Sequence, residues 1–358
     1  MKKLFSKLRA LAGAGGHTLF WALISVALGG LSIWAVLRQA RGTSIRMILS
    51  SLSRMNPGWL LAAALGMLGF IVFEAMAIRL GCGVLDSRCS RGKSLIFSSA
   101  DIYFSAITPS ATGGQPACIC VMMGSGISGV TATAVMLMNL TMYTLSTVVM
   151  GICCFALRGK LFLRFGIPAR VLILTGCGFQ LVMALVFFLS VKNEKLLALL
   201  GHKGIALLRR LHLVRHPDKL TAKLDQMLLK YRDNAALLGG RWGCLGKIFL
   251  LNFLQRISQI AVTMFVYLAA GGGRLSGLDV LAMQGFVALG SNFVPIPGGM
   301  GVADYLMLDG FGTFLTAQAA VDLEFISRSL SFYLCIILCG LMLLMYVVRS
   351  QYRARRAA

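Results

Sequence analysis

Ionisable side chains are scarce in the apolar parts of this chain, and those that occur there are the residues able to do chemistry. They are Glu74, Asp101, Arg256, Asp304 and Arg328, with Asp279 and Asp309 nearer the edges of such runs. A charge inside a long apolar stretch is costly unless it is paired or used. Arg256 and Arg328 have two readings: a structural ion pair with one of the acids, or a clamp on a lipid phosphate. Asp304 follows Gly301 by three residues, in the first turn of an expected half-helix. One reading of it is stabilisation of that helix N-terminus. The other is a site for a proton or a substrate amine; Asp101 or Asp304 would meet a cationic or hydroxylated head group.

Two polar breaks lie close to these residues. The first, TPSATGGQP, holds Thr108, Pro109, Ser110, Thr112, Gly113, Gly114, Gln115 and Pro116. The second, PIPGGMG, holds Pro295, Pro297, Gly298, Gly299 and Gly301. Proline removes a backbone donor and glycine opens backbone angles closed to other residues. The hydroxyl, amide and free backbone groups of the breaks are therefore expected to line a substrate path together with Asp101, Asp304, Arg256 and Arg328. No metal site is expected. His212 and His216 are one helical turn apart, with no third ligand near them. The ten cysteines form no C-x-x-C and lie mainly in apolar runs, where cysteine behaves as a small hydrophobe. The signatures G-x-x-x-x-G-K-[ST], H-E-x-x-H and G-x-S-x-G are missing, so neither catalytic residues nor a cofactor are expected.

The elements that must position these groups follow from composition. Of 358 residues, 58% are hydrophobic and 13% charged, against about 25% charged in a soluble domain. That excludes a water-soluble particle of this size, and disorder with it. The apolar runs are continuous, unlike the alternating strands of a membrane barrel. The fold class is all-α: a polytopic membrane protein with about six full spans plus two opposed re-entrant helical hairpins. The spans are Thr18–Leu37, Trp59–Ile78, Val130–Leu157, Val171–Val191, Ile248–Ala270 and Phe325–Val348, each long enough to cross about 30 Å of hydrocarbon. The hairpins pair Ser94–Ile107 with Ala117–Ile127, and Val280–Val294 with Val302–Ala320. Residues 1–358 read as one transmembrane domain. The stretch 192–247 is a basic cytoplasmic loop within it, and Leu220, Leu224, Met227, Leu228 and Tyr231 form an apolar stripe suited to an anionic membrane surface.

The net charge is +23. In a soluble protein that would suggest nucleic acid. Here no nucleic acid is expected, because cytoplasmic loops of membrane proteins collect Lys and Arg. With both termini cytoplasmic, 24 of the 35 cations fall inside and nine outside. The expected location is the cell membrane.

The two breaks in their settings, YFSAITPSATGGQPA (Tyr103–Ala117) and NFVPIPGGMGVADYL (Asn292–Leu306), resemble the lysylphosphatidylglycerol synthase transmembrane region, or flippase-like domain family. SFYL after an Arg, here Arg328 to Leu334, adds to the likeness; the family usually has Glu where this chain has Asp304. The resemblance implies an integral membrane translocase for a phospholipid or lipid-linked head group. It also implies two alternatives. One is a phosphatidylglycerol lysyltransferase-type protein of cationic peptide and antibiotic resistance. The other is a non-transporting partner of a separate synthase or glycosyltransferase. A homo-oligomer is a further possible assembly. Only ten residues, Arg349 to Ala358, follow the last span, so the aminoacyl-transfer domain of the synthase is not expected.

Overall fold

The computed structural model describes residues 52–108, 111–192, 199, 203, 242–294 and 301–357. The first expected span, the amphipathic stripe of 220–231, His212 and His216, and the break residues Pro109, Ser110, Pro295, Pro297, Gly298 and Gly299 lie outside these residues.

Among the described residues the secondary structure is helical throughout. In chain order the helices are α1 (Pro57–Val84), α2 (Arg91–Ile107), α3 (Gly114–Gly124), α4 (Gly129–Phe162), α5 (Ile167–Lys192), α6 (Trp242–Ala269), α7 (Gly277–Ser291), α8 (Val302–Phe311), α9 (Ala317–Arg328) and α10 (Leu334–Ala357). A π-helical segment, Ser329–Tyr333, joins α9 to α10. Five helical stretches are long and apolar enough to cross a membrane: α1, α4, α5, α6 and the run Ala317–Arg349. They coincide with five of the six expected spans.

Local sequence sets the helix starts. Asn56 caps α1, with Pro57 in its first turn. Ser90 and Ser128 accept from the backbone of Lys93 and Thr131 to cap α2 and α4. Ser276 and Asp279 form a reciprocal capping box on α7. One expected boundary is corrected. The apolar run Val302–Ala320 is not one half-helix: α8 ends at Phe311, and Thr316 caps a new helix by accepting from Ala319 N–H. A hydroxyl cap competes with helix continuation, and the last span consequently starts at Ala317 rather than Phe325.

Contacts between helix ends fix their relative depth. Lys93 Nζ at the start of α2 donates to the Ser125 carbonyl just after α3, at 3.1 Å. Ser125 Oγ also lies 3.1 Å from Tyr346 Oη on α10. The start of α2, the end of α3 and the distal part of α10 thus share one end of the molecule. At the other end, Asn56 N–H donates to the Ala269 carbonyl at 2.8 Å. Arg158 Nε, at a kink in α4, bonds Asp279 Oδ1 at the start of α7 at 2.7 Å. Gly166 N–H donates to Asp309 Oδ2 near the end of α8, also at 2.7 Å. Each pair of short helices, α2 with α3 and α7 with α8, therefore leaves and returns at the same end, and the two pairs start from opposite ends. The main core packs Phe165, Met283, Phe286, Leu306 and Phe311, and a second packs Ile78, Met122, Val135 and Ile248.

Candidate functional site

A cavity of about 620 Å³ opens between α1, α2, α4, α5, α6 and the π-helical segment. That is the size of a small-ligand pocket. Its polar lining includes Glu74, Asp101, Gln115, Gln255, Arg256 and Gln259.

Arg256 sits on α6 and is 3% exposed. Its Nε donates to Thr147 Oγ1 at 3.1 Å and its Nη1 to Gln259 Oε1 at 2.6 Å. The guanidinium lies 4.2 Å from the centroid of the Tyr143 ring, close enough for a cation–π contact. Among the described residues no carboxylate pairs with it, and Nη2 has no hydrogen-bond partner. The ion-pair reading thus does not hold for this arginine. It is a cation held by neutral groups, with donor capacity left over on the wall of a cavity.

Asp101, on α2, accepts from Ser105 Oγ at 3.3 Å and from Gln115 Nε2 at 3.0 Å. Gln115 opens α3, so this bond ties the two short helices together. Gly114 lets them approach: a Cβ there would run into Ser105 Oγ and Asp101. Thr108 closes α2 by donating from Oγ1 to the Phe104 carbonyl at 2.6 Å and accepting from Gly113 N–H at 2.9 Å. Ala111 takes a left-handed backbone angle, φ 54°. Thr112 lines the cavity, and Pro116 is exposed in the first turn of α3, where its missing N–H breaks no helical bond. Glu74, on α1, accepts from Ser98 Oγ at 3.4 Å and Gln255 Nε2 at 3.1 Å.

Asp304 and Arg328 stand apart from the cavity wall. Asp304 Oδ2 accepts from Gly301 N–H at 2.9 Å, and Gly301 has φ 81°. Asp304 Oδ1 lies 2.9 Å from Arg328 Nη1, and Arg328 Nε is 3.8 Å from Glu324 Oε1. Asp304 is therefore both a helix-start cap and the partner of an arginine. Arg328 lies 5.5 Å over the Phe332 ring, and Phe332 lines the cavity. The π-helical segment Ser329–Tyr333 takes in the first three residues of SFYL, and such segments are frequent at functional sites.

Of the residues expected on a substrate path, the structure brings Asp101, Thr112, Gln115 and Arg256 to one cavity. It places Thr108, Gly113, Gly114 and Pro116 on its flank, and Gly301, Asp304 and Arg328 behind Phe332. Sequence reasoning noted Glu74 as a charge in an apolar run but left it off the path, and it passed over Gln255, Gln259 and Tyr143. A signal for two of these existed: Gln255, Arg256 and Gln259 form a polar stripe at helical spacing inside an apolar span.

No curated protein sequence matches the chain. Residues 22–339 match the family described as the lysylphosphatidylglycerol synthase TM region, and the chain belongs to that family.

Proposed function

We propose that the protein is a phospholipid translocase that passes a polar head group through the cavity between α1, α2, α4, α5 and α6. The observation that carries this reading is Arg256. A guanidinium buried without a carboxylate, with unused donor capacity facing a cavity, suits a planar phosphate oxygen pair. The family name points to phosphatidylglycerol carrying an aminoacyl group, whose added amine would find Glu74 and Asp101 on the same wall. The two pairs of short helices support re-entrant hairpins entering from opposite leaflets. Broken helices of that kind bring free backbone groups to a central site in transporters. In this reading the protein is a multi-pass protein of the cell membrane with both termini cytoplasmic.

The test is reconstitution in vesicles of phosphatidylglycerol and phosphatidylcholine carrying fluorescent phosphatidylglycerol. Loss of inner-leaflet protection from an impermeant quencher is followed in time. The wild type is expected to move the probe faster than protein-free vesicles, and Arg256→Gln to lose that rate. Equal rates for wild type and empty vesicles would remove the translocase reading.

A further inference from the structure

The cavity holds a second unusual feature, a pair of acids. Glu74 and Asp101 are 4% and 6% exposed and line the same cavity, and Ser98, one turn before Asp101 on α2, donates to Glu74 at 3.4 Å. Among the described residues their hydrogen-bond partners are neutral: Ser98 and Gln255 for Glu74, Ser105 and Gln115 for Asp101. Arg256 shares the cavity but is engaged by Thr147, Gln259 and Tyr143. The other ionisable groups facing the pair are Tyr143 on α4, Cys118 on α3, and Cys335 and Cys339 on α10, none of which carries positive charge. A separate observation points to a missing hydrogen. Gln255 is 2% exposed and lines the cavity, and its Nε2 is spent on Glu74. Its Oε1 is buried with no partner among the described residues. An acceptor left over beside two carboxyls calls for a donor, and an ionised carboxylate has none to give.

We propose that Glu74 and Asp101 bind one proton as a pair, and that this proton couples the cavity to the proton gradient across the membrane. Two buried carboxylates on one cavity wall, with no cation bonded to either among the described residues, resist ionising together, and the proton then belongs to the pair rather than to either residue. Gln115 and Gln255 each turn an N–H donor toward a carboxyl group, which a bound sodium ion would not favour. The coupling rests on the translocase reading above; the proton site does not.

Infrared spectroscopy of the full chain in phosphatidylglycerol nanodiscs at pH 7 tests the site. Glu74→Gln, Asp101→Asn and the double variant should each remove the same intensity from the protonated-carboxyl band, because the carboxyl left in either single variant ionises. Asp101→Glu should retain the band, provided all variants elute as the wild type does on size exclusion. Three results would overturn the site: no loss in the single variants, a loss in the double variant equal to two independent acids, or removal of the band by sodium chloride but not choline chloride. Coupling is read separately in the fluorescent-lipid vesicles. The wild-type rate should follow an imposed pH gradient, and the Glu74→Gln rate should ignore it. A wild-type rate indifferent to the gradient overturns the coupling. A wild type that moves no lipid removes the translocase reading, while the infrared result still decides the proton pair.

Discussion

Two arginines inside apolar helices have different partners, and the difference lies in how each charge is met. Arg328 meets Asp304 and Glu324, which accounts for its charge. Arg256 meets a hydroxyl, an amide and a phenol ring, and no carboxylate among the described residues. Arg256→Lys keeps the charge but cannot bond Thr147 and Gln259 at once while stacking on Tyr143. Hydrogen bonds to a charged group contribute about 1.5–3 kcal/mol, so lipid movement should fall roughly tenfold or more by the vesicle assay. Asp304→Asn makes a different experiment. The Asn oxygen still caps Gly301, but the ion pair with Arg328 is lost. Breaking a buried pair costs about 3–5 kcal/mol. The partial exposure of Asp304 and the nearby Glu324 reduce that to about 1–3 kcal/mol, read as a lower unfolding midpoint in detergent. Adding Arg328→Met should recover part of the loss, since the stranded cation goes with it. No recovery would mean that Asp304 acts through its cap alone.

At the scale of elements, the breaks between short helices do the positioning. Gly114 and Asp101 touch across the first break, so Gly114→Ala must push α2 and α3 apart or displace Asp101. Overpacking of this kind costs about 1–3 kcal/mol, and it should also weaken the Gln115–Asp101 bond that shapes the cavity. Gly246, inside α6, has open space where its Cβ would lie. Gly246→Ala should be neutral or stabilising by up to about 1 kcal/mol from helix propensity. The two midpoints measured side by side distinguish a general intolerance of larger residues from a specific contact. These elements were legible in the sequence to different degrees. Hydropathy located α1, α4, α5 and α6 to within several residues, because a membrane span is a local property. The break at Thr108–Pro116 was legible from Pro and Gly alone. The start of α9 was not, because a single Thr316 cap carries little weight inside an apolar run. The π-helical turn at Ser329–Tyr333 leaves no compositional mark. The pairing of Asp304 with Arg328 and the shared cavity of Glu74 and Asp101 depend on how successive helices pack, which no periodicity encodes.

For the whole molecule, the helix-end contacts lead to a topology that can be checked without knowing the substrate. The link from Lys93 to Ser125 and the contact of Ser125 with Tyr346 put residues 85–90, 125–128 and the distal part of α10 on one side. The links Asn56–Ala269, Arg158–Asp279 and Gly166–Asp309 put residues 54–56, 163–166, 270–276 and 309–316 on the other. In the proposed orientation, with both termini cytoplasmic, the first set faces the cytoplasm. Single cysteines introduced at Ser87 and Gly126, in a background without the native ten, should react with an impermeant maleimide only after the membrane is opened. Cysteines at Arg164 and Gly272 should react in intact cells. The decisive comparison is between Ser87 and Gly126, which flank α2 and α3. If α2 and α3 together crossed the bilayer, these two positions would label from opposite sides. A pair that turns back requires them to label alike, and the same holds for Gly272 and Thr313 around α7 and α8. Labelling of Ser87 and Gly272 from one side would break the parity of α1 and α6 and with it the opposed entry of the two pairs. The cavity would then lose its place between two leaflets, and a translocase would have no route through this fold.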